Sequence, residues 1–167
     1  MSVVSDRSSP RRDLPRRVAS WLRRGRRQSS HPPKYLLDPI LAGADTIAVW
    51  QIDSYGDKYD NWFDSLTEPQ QNAVLARLSL LADRGPALGR PTVDTVEDSR
   101  HQNMKELRCS KDGALRILFV FDPLRKAILL IGGDKTGQWS TWYRAQIPVA
   151  DALYDRYLQE LKDEGLI

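Results

Sequence analysis

Two arginines in the second half of the chain are the residues whose chemistry is easiest to interpret. Arg108 and Arg116 flank a short turn at residues 111–113, in segments whose apolar residues alternate as in β-strands. The guanidinium group presents a planar fork that matches the oxygens of a phosphate. A pair of arginines on one strand face therefore indicates an anion site, although solvated arginines on an exposed face explain the pattern equally well.

The length of the turn decides whether the two arginines share a face. A two-residue Asp112-Gly113 turn would mix charged and apolar side chains on both faces of the hairpin. A three-residue loop, with Gly113 in the left-handed position of a bulge, instead pairs Arg108 with Arg116 and leaves one continuous apolar face. We therefore predict the three-residue loop, in which Leu107 pairs with Ile117, Cys109 with Leu115 and Glu106, on the arginine face, with Leu118.

Lys135 and His101 are the other candidates for chemistry. Lys135 follows two glycines that allow close backbone approach, and we expect it at the sheet edge near the arginine pair. The segment lacks the spacing of a P-loop, and a turn with a solvated lysine is the alternative. His101 is the only residue of the folded part whose ordinary pKa lies near neutrality, so it is a candidate general base or acid. A capping or surface histidine is the alternative.

The spacing of apolar residues predicts the elements that position these side chains. Residues 46–52 are typical of a short strand, and residues 59–66 have the spacing of a helix. A Thr-Glu-Pro-Gln capping box starts a second helix at Thr67, which ends at Gly85. Three turn formers and low apolar content indicate a long surface loop at 86–103. The remaining elements are strands at 104–110, 114–121 and 127–131 and a helix from Pro148 to about Glu164. The complete order is β-α-α-β-β-β-α, which predicts an α+β fold with its helices on one face of the sheet.

Composition excludes several classes of protein. The single cysteine, Cys109, rules out an internal disulfide framework and fits a reducing compartment. Besides this cysteine the chain has only two histidines, too few to replace paired cysteines as ligands, so we expect no zinc or other metal site. We find no apolar stretch long enough to span a bilayer and no secretory signal, and we therefore expect a soluble, cytoplasmic protein without membrane contact.

The net charge of +3 hides an asymmetry between two parts of the chain. Residues 1–45 contain ten basic and four acidic residues, whereas residues 46–167 contain 15 basic and 18 acidic ones. Any phosphate contact in the folded part must therefore come from a local cluster. Residues 1–45 are rich in Arg, Ser and Pro, so we expect a disordered extension. It could be a basic arm that contacts RNA, a tail without a role, or the product of a misassigned start codon.

Three stretches carry a family resemblance. They are Arg100-His101-Gln102-Asn103-Met104-Lys105-Glu106-Leu107-Arg108, Arg116-Ile117-Leu118-Phe119 and Leu129-Leu130-Ile131-Gly132-Gly133-Asp134-Lys135-Thr136-Gly137. With Trp142-Tyr143 and the closing helix, they resemble the toxins of RelE/HigB-type type II toxin–antitoxin modules, in the phage-derived Gp49-like branch. The resemblance covers roughly residues 46–167. It implies a RelE-like fold, a small twisted antiparallel sheet with an N-terminal helical hairpin and a C-terminal helix.

The resemblance also implies an activity: a ribosome-dependent mRNA endonuclease that needs no metal or cofactor and is neutralised by a helix-turn-helix antitoxin. RNA supplies its own nucleophile, the 2′-OH, so the protein has only to orient the ribose, move protons and stabilise the phosphorane. Arg108 and Arg116 match the phosphate-binding arginines of the family, and Lys135 matches its basic residue for charge stabilisation or proton transfer. The other candidates are His101 as base or acid, Lys105 at a strand edge as a phosphate contact, and Trp142 or Tyr143 as a stacking platform for a base, with core packing as the alternative for these two.

Two other functions stay open at this point. A RelE-fold protein that no longer cleaves could act as a co-repressor, stabilising its antitoxin on operator DNA. A nucleic-acid-binding module led by residues 1–45 is the third possibility. The chain ends Glu164-Gly165-Leu166-Ile167, without the Tyr or His that closes the well-studied toxins. Activity would then be weaker, or would rest on arginine and lysine alone.

Overall fold

The computed structural model describes residues 50–167. The predictions for residues 1–45, and the first residues of the strand predicted at 46–52, lie outside this part. Its elements are β1 (Gln51–Ser54), α1 (Lys58–Ser65), α2 (Glu68–Arg84), a 3₁₀ turn (Gly85–Ala87), β2 (Val93–Thr95), β3 (Met104–Ser110), β4 (Ala114–Phe121), β5 (Lys126–Asp134) and α3 (Trp139–Asp163). Within these residues, no helix combines the length and apolar character that crossing a membrane requires.

The five strands form one mixed sheet in the order β1-β5-β4-β3-β2. Three of the pairings are antiparallel, and β1 runs parallel to β5. The predicted α+β class, consistent with a RelE-like fold, is confirmed, but the expectation of a purely antiparallel sheet is wrong at this edge. β1 and β5 are far apart in the sequence, so no hairpin turn forces them to run in opposite directions.

The β3–β4 hairpin has the predicted register. Arg108 pairs with Arg116, and residues 111–113 form the three-residue loop between the strands. Asp112 (φ 49°) and Gly113 (φ 146°) both have positive φ. Only the value of Asp112 lies in the left-handed helical region, so Asp112 adopts the conformation that was expected of Gly113. The apolar face that decided the register is buried as expected, through Leu107, Cys109, Leu115 and Ile117.

Helices cover both faces of the sheet, and each face has its own hydrophobic core. The helices α1 and α2 pack on the face that carries Leu107 and Ile117. The helix α3 packs on the opposite face, which carries Met104 and Leu118. The prediction that all helices lie on one face is therefore wrong. The sequence of β4, apolar at nearly every position, is typical of a strand buried between two layers.

The helix α3 begins at Trp139, well before Pro148, where its start was predicted, and Pro148 lies inside it. A proline in a helix interior removes a hydrogen bond and costs about 3 kcal/mol. The helix continues through it because Trp142 and Ile147, in its first half, are buried against the sheet. Burying two such side chains is worth about 3–6 kcal/mol, enough to offset the proline.

The segment 86–103, predicted to be a surface loop, contains the edge strand β2 and part of the core. Leu88, Val93 and Val96 are each buried. The backbone amide of Arg108 donates to the carbonyl of Thr92 at 2.8 Å, which holds the segment against β3. The few apolar residues of this stretch were too sparse to indicate a strand, and tertiary contacts with β3 decide it.

Candidate active site

Glu106 is the centre of a group of charged side chains between the sheet and α3. It lies on β3 two residues from Arg108, so both side chains are on the same face. One carboxylate oxygen, Oε1, accepts a hydrogen bond from Arg108 Nε at 2.7 Å. The other, Oε2, accepts one from the hydroxyl of Tyr143 on α3. These partners allow the carboxylate to be buried, since an unpaired charge would cost several kcal/mol.

Arg108 joins this carboxylate to a second one on the neighbouring edge strand. Its Nη2 lies 2.6 Å from Glu106 Oε1 and 2.6 Å from Asp94 Oδ2, on β2. Partial burial lowers the pKa of Arg108, but hydrogen bonding to Glu106 and the charges of both carboxylates more than compensate, so the net pKa is raised. With 31% of its side chain exposed, Arg108 is a permanent cation that remains accessible from solvent.

Arg116, directly opposite Arg108, is buried, with 8% of its side chain exposed. Its Nη1 donates to the carbonyl of Leu115 at 2.8 Å. Its Nε lies 3.8 Å from Glu106 Oε2 and has no hydrogen-bond partner among residues 50–167. Arg116 thus contributes its positive charge from a buried position, and Arg108 is the more accessible arginine of the pair.

Lys135, directly after β5, is 3% exposed and completes the group. Its Nζ donates to the hydroxyl of Tyr143 at 2.9 Å and lies 3.7 Å from the centre of the Trp139 ring. Burial lowers the pKa of Lys135, and the charge of Arg116 lowers it further, against the opposing effect of Glu106. Lys135 is therefore a lysine that gives up its proton more readily than an exposed one.

Tyr143 connects the lysine to the carboxylate. Its hydroxyl accepts from Lys135 and donates to Glu106. Burial and the hydrogen bond to Glu106 raise the pKa of Tyr143 to about 12, so the hydroxyl keeps its proton at neutral pH. Glu106, Arg108, Arg116, Lys135 and Tyr143 are hereafter the Glu106 cluster. Its hydrogen bonds form a continuous path from an ammonium group to a carboxylate, along which a proton can move.

The Glu106 cluster opens to a cleft of about 700 Å³. Glu106, Arg108, Lys135 and Tyr143 line it directly. The same cleft is bordered by basic and acidic side chains together, among them Arg90, Arg144, Asp94, Glu97 and Asp98. A cleft of this size accommodates part of a nucleotide chain, and its lining offers the part-buried guanidinium of Arg108 beside Lys135.

The remaining candidates from the sequence lie elsewhere. His101 Nε2 is 2.8 Å from Asp155 on α3, and its ring packs edge-on against Tyr154, so it is held at the start of β3 and not at the Arg108 end. Lys105 is on the opposite face of the sheet, where its Nζ donates to Thr95 Oγ1 at 2.7 Å. The structure brings together Arg108, Arg116, Lys135 and Tyr143, but not these two residues.

Trp142 packs in the core and not in the cleft. It is 8% exposed, and a Cβ added to Gly133 would lie 2.4 Å from its Nε1. On the other face, a Cβ added to Gly132 would lie 1.8 Å from the ring of Trp62. The two glycines therefore permit close approach to the backbone, as expected. Trp62 from one layer of helices approaches Gly132, and Trp142 from the other approaches Gly133.

Two residues of the site, Asp94 and Trp139, were missed from the sequence, and Glu106 was placed on the arginine face but was not among the candidates for chemistry. Asp94 lies in the segment predicted to be a loop, and its carboxylate reaches Arg108 only because β2 pairs with β3. Trp139 precedes the predicted start of the last helix. An aromatic residue four positions after Lys135 was the available signal, although it becomes informative only once the helix is known to start there.

The fold and site together define the class: an α+β protein with a RelE-like arrangement and a cleft under its C-terminal helix that is lined by both basic and acidic side chains. The sequence profile of the family described as "Phage derived protein Gp49-like (DUF891)" matches residues 61–155, more than half of the chain. The chain belongs to this Gp49-like family, which confirms the resemblance seen in its motifs.

Two proteins of Mycobacterium tuberculosis are similar to the chain. One, named "Putative toxin HigB2", is 39% identical over 139 residues, which cover 80% of this chain and 68% of that protein. The other, named "Putative toxin HigB3", is 48% identical over 99 residues, covering 59% of this chain and 86% of that protein. The match to the first spans more residues than 46–167 contain and therefore includes part of the N-terminal segment.

Proposed function

We propose that this protein is the toxin of a type II toxin–antitoxin module and that it cleaves mRNA on the ribosome without a metal ion. The observation that carries the proposal is the Glu106 cluster, which places cations and proton-exchanging groups at one cleft. The toxin names of the two relatives support the same class. The partners expected on this proposal are a helix-turn-helix antitoxin and ribosome-bound mRNA in the cytoplasm.

The chemistry requires only groups that the RNA and the cleft supply. The ribose 2′ oxygen attacks the adjacent phosphorus while the bond from phosphorus to the 5′ oxygen breaks. One proton leaves the 2′ oxygen and one joins the 5′ oxygen, and the products are a 2′,3′-cyclic phosphate and a 5′-hydroxyl end. Because negative charge on the phosphate is greatest in the transition state, fixed cations in the cleft accelerate the reaction.

The positions of the side chains suggest a role for each. Arg108, whose guanidinium is partly accessible from the cleft, is suited to hold the phosphate oxygens. Lys135, with its lowered pKa, is suited to donate a proton to the 5′ oxygen, and Glu106 to accept the 2′ proton. Tyr143 would carry protons between them. Arg116 is a positioning residue on this proposal, because it is buried next to Glu106 and acts through it.

Controlled expression in a bacterial host tests the proposal in cells. We expect the wild-type protein to arrest growth and the double variant Arg108→Ala, Arg116→Ala to relieve the arrest. Arg84→Ala, which removes an exposed arginine at the end of α2, is the matched control and should stay toxic. A folded double variant that remained fully toxic would mean that the assigned site is wrong. A non-toxic wild type that binds its neighbouring helix-turn-helix protein would favour the co-repressor function instead.

A reconstituted reaction tests the chemistry. Purified protein and ribosomes programmed with a defined mRNA should yield new 5′-hydroxyl ends at discrete positions. A single 2′-deoxy substitution at the mapped site should abolish cleavage there, since it removes the nucleophile and leaves the rest of the message unchanged. Cleavage that persists at the deoxy position would contradict attack by the 2′ oxygen.

A further inference from the structure

Trp139 is the most exposed large apolar side chain among residues 50–167, at 62%. It is the first residue of α3, and two residues close behind it, Ser140 and Tyr143, line the cleft. Tryptophan gains most from burial of all side chains, and a largely exposed indole forgoes that gain. Packing within the described fold therefore does not explain why this residue stands at the rim of the cleft.

One face of the Trp139 indole already contacts Lys135. The Nζ of Lys135 lies 3.7 Å from the centre of the Trp139 ring and 4.9 Å from that of Tyr143, within the range of cation–π contacts. The ammonium thus contacts two aromatic side chains, of which Trp139 is the more exposed. Lys135 is nearly fully buried, whereas the indole that covers it is open to solvent over most of its surface.

We propose that Trp139 is a substrate-binding residue of the cleavage site, with its inner face on Lys135 and its outer face stacked on an RNA base beside the scissile phosphate. The inference rests on the proposed function, which it extends to a residue outside the Glu106 cluster. Every base has a flat face, so such stacking strengthens binding without demanding one sequence. The contact with Lys135 holds the indole in place, so less side-chain freedom is lost when a base binds.

The neighbourhood favours a nucleotide over a protein partner as the occupant. A nucleotide carries a base and a phosphate close together. Trp139 and Lys135 match this pair, because they offer a stacking surface and a cation side by side. Arg108 and Arg144 line the same cleft, together with the carboxylates of Asp94, Glu97, Asp98 and Glu106. The electrostatic part of the argument therefore rests on Lys135, the cation in contact with the indole. A protein partner would usually cover a continuous apolar patch, and none of the five exposed large apolar side chains among residues 50–167, Trp139 included, is itself part of the cleft lining. Trp139 adjoins the cleft through its neighbour Ser140 and its contact with Lys135.

Binding of short RNAs by the full-length protein tests the proposal. The probes are fluorescently labelled 2′-O-methyl tetranucleotides, which have no free 2′-OH to react, and otherwise identical oligonucleotides that lack the bases. We expect the wild type to bind the base-containing probe about 5- to 150-fold more tightly than the abasic one. Trp139→Ala should lose this preference and Trp139→Phe should keep part of it. Leu124→Ala, which truncates an exposed apolar residue in the β4–β5 turn, should keep all of it.

Two outcomes overturn the stacking role while leaving the proposed function intact. They are a wild type that cleaves RNA but binds both probes equally, and a Trp139→Ala variant that retains the full preference for bases. The proposed function fails separately if the wild type cleaves no RNA on ribosomes, even though its base-dependent binding is lost in Trp139→Ala.

Discussion

The side chains of Glu106, Arg116 and Lys135 place two positive charges and one negative charge where water is largely excluded. Arg108 and Asp94 add one charge of each sign at the cleft, so the whole group carries a small positive excess. Burial of any of these charges alone would cost several kcal/mol. Each is tolerated because the others are present, so single substitutions in this group affect stability and activity together.

Lys135 gives this coupling a pH dependence. Burial, followed by the charge of Arg116, lowers the pKa of Lys135, so below that pKa the folded protein bears the full cost of a buried ammonium. As the pH rises through the lowered pKa, the folded protein loses a proton that the unfolded chain still binds, and the wild type gains stability. We expect Lys135→Met to be at least as stable as the wild type near neutrality, with an advantage that shrinks towards about pH 10.

Urea unfolding of the wild type and Lys135→Met across this pH range measures the difference, and other titrating groups cancel in the comparison. Lys111→Met is the matched control, because Lys111 is 47% exposed and lies outside the Glu106 cluster. A stability difference between the wild type and Lys135→Met that stays constant with pH would contradict the lowered pKa.

At the scale of elements, the connection between β2 and β3 lines the cleft with Glu97 and Asp98 and is then fastened to α3 by the residues that follow. Buried Asp151 accepts hydrogen bonds from Ser99 Oγ at 2.6 Å and from the amide of Arg100 at 3.1 Å. His101 belongs to the same attachment through Asp155. These contacts favour a structural role for the histidine, and its role as base or acid stays a prediction that the following variant tests.

We therefore expect His101→Ala to keep its rate of mRNA cleavage within about threefold of the wild type, less than about 1 kcal/mol in barrier, because the His101 ring contacts Asp155 and Tyr154 and not the Glu106 cluster. Cleavage on programmed ribosomes, with the Arg108→Ala protein as the inactive reference, measures this. A loss as large as that of Arg108→Ala would restore His101 as a catalytic candidate.

The end of β5 depends on close packing with α3. A Cβ at Gly133 would lie 2.4 Å from Trp142 Nε1, so the helix or the strand would have to move. We expect Gly133→Ala to lower the free energy of unfolding by about 1–3 kcal/mol, the usual cost of overpacking. Gly89→Ala is the control, since a Cβ there has no neighbour within 4 Å and should change stability little. Equal unfolding midpoints in urea for the two variants would contradict the close contact.

At the scale of the whole molecule, residues 46–167 carry more acidic than basic side chains, yet the part-buried guanidinium of Arg108 and the buried ammonium of Lys135 lie together at the cleft. Charge in this part of the chain is therefore organised locally. The basic excess of the chain belongs to residues 1–45. We expect a protein that begins at residue 46 to retain cleavage of mRNA on ribosomes, because the proposed machinery lies wholly within the later residues.

The comparison of this shortened protein with the full chain also separates two functions. Equal cleavage, with weaker and less salt-dependent binding to RNA, would assign residues 1–45 an electrostatic role. Loss of all activity in a shortened protein that is folded, as judged by its unfolding transition, would favour the nucleic-acid-binding module led by the N-terminal segment.

The sequence by itself determined the elements and pairings that local patterns control. Alternation of apolar residues specifies the β3–β4 register, because a shift of one residue would expose the whole apolar face, and this register sets Arg108 opposite Arg116. The capping box at Thr67 and the glycine at position 85 set the ends of α2 because they act on neighbouring backbone groups. The family motifs lie in these same elements.

Only the tertiary structure decided where the elements meet. The start of α3, the existence of β2 and the parallel pairing of β1 depend on burial between segments distant in the chain, and local propensity says little about such contacts. Which residues of the site are buried and which are accessible also depends on these contacts between distant segments. Once α3 covers the arginine face, Arg116 and Lys135 are buried, Arg108 stays accessible, Tyr143 links lysine to carboxylate, and Trp139 stands at the rim.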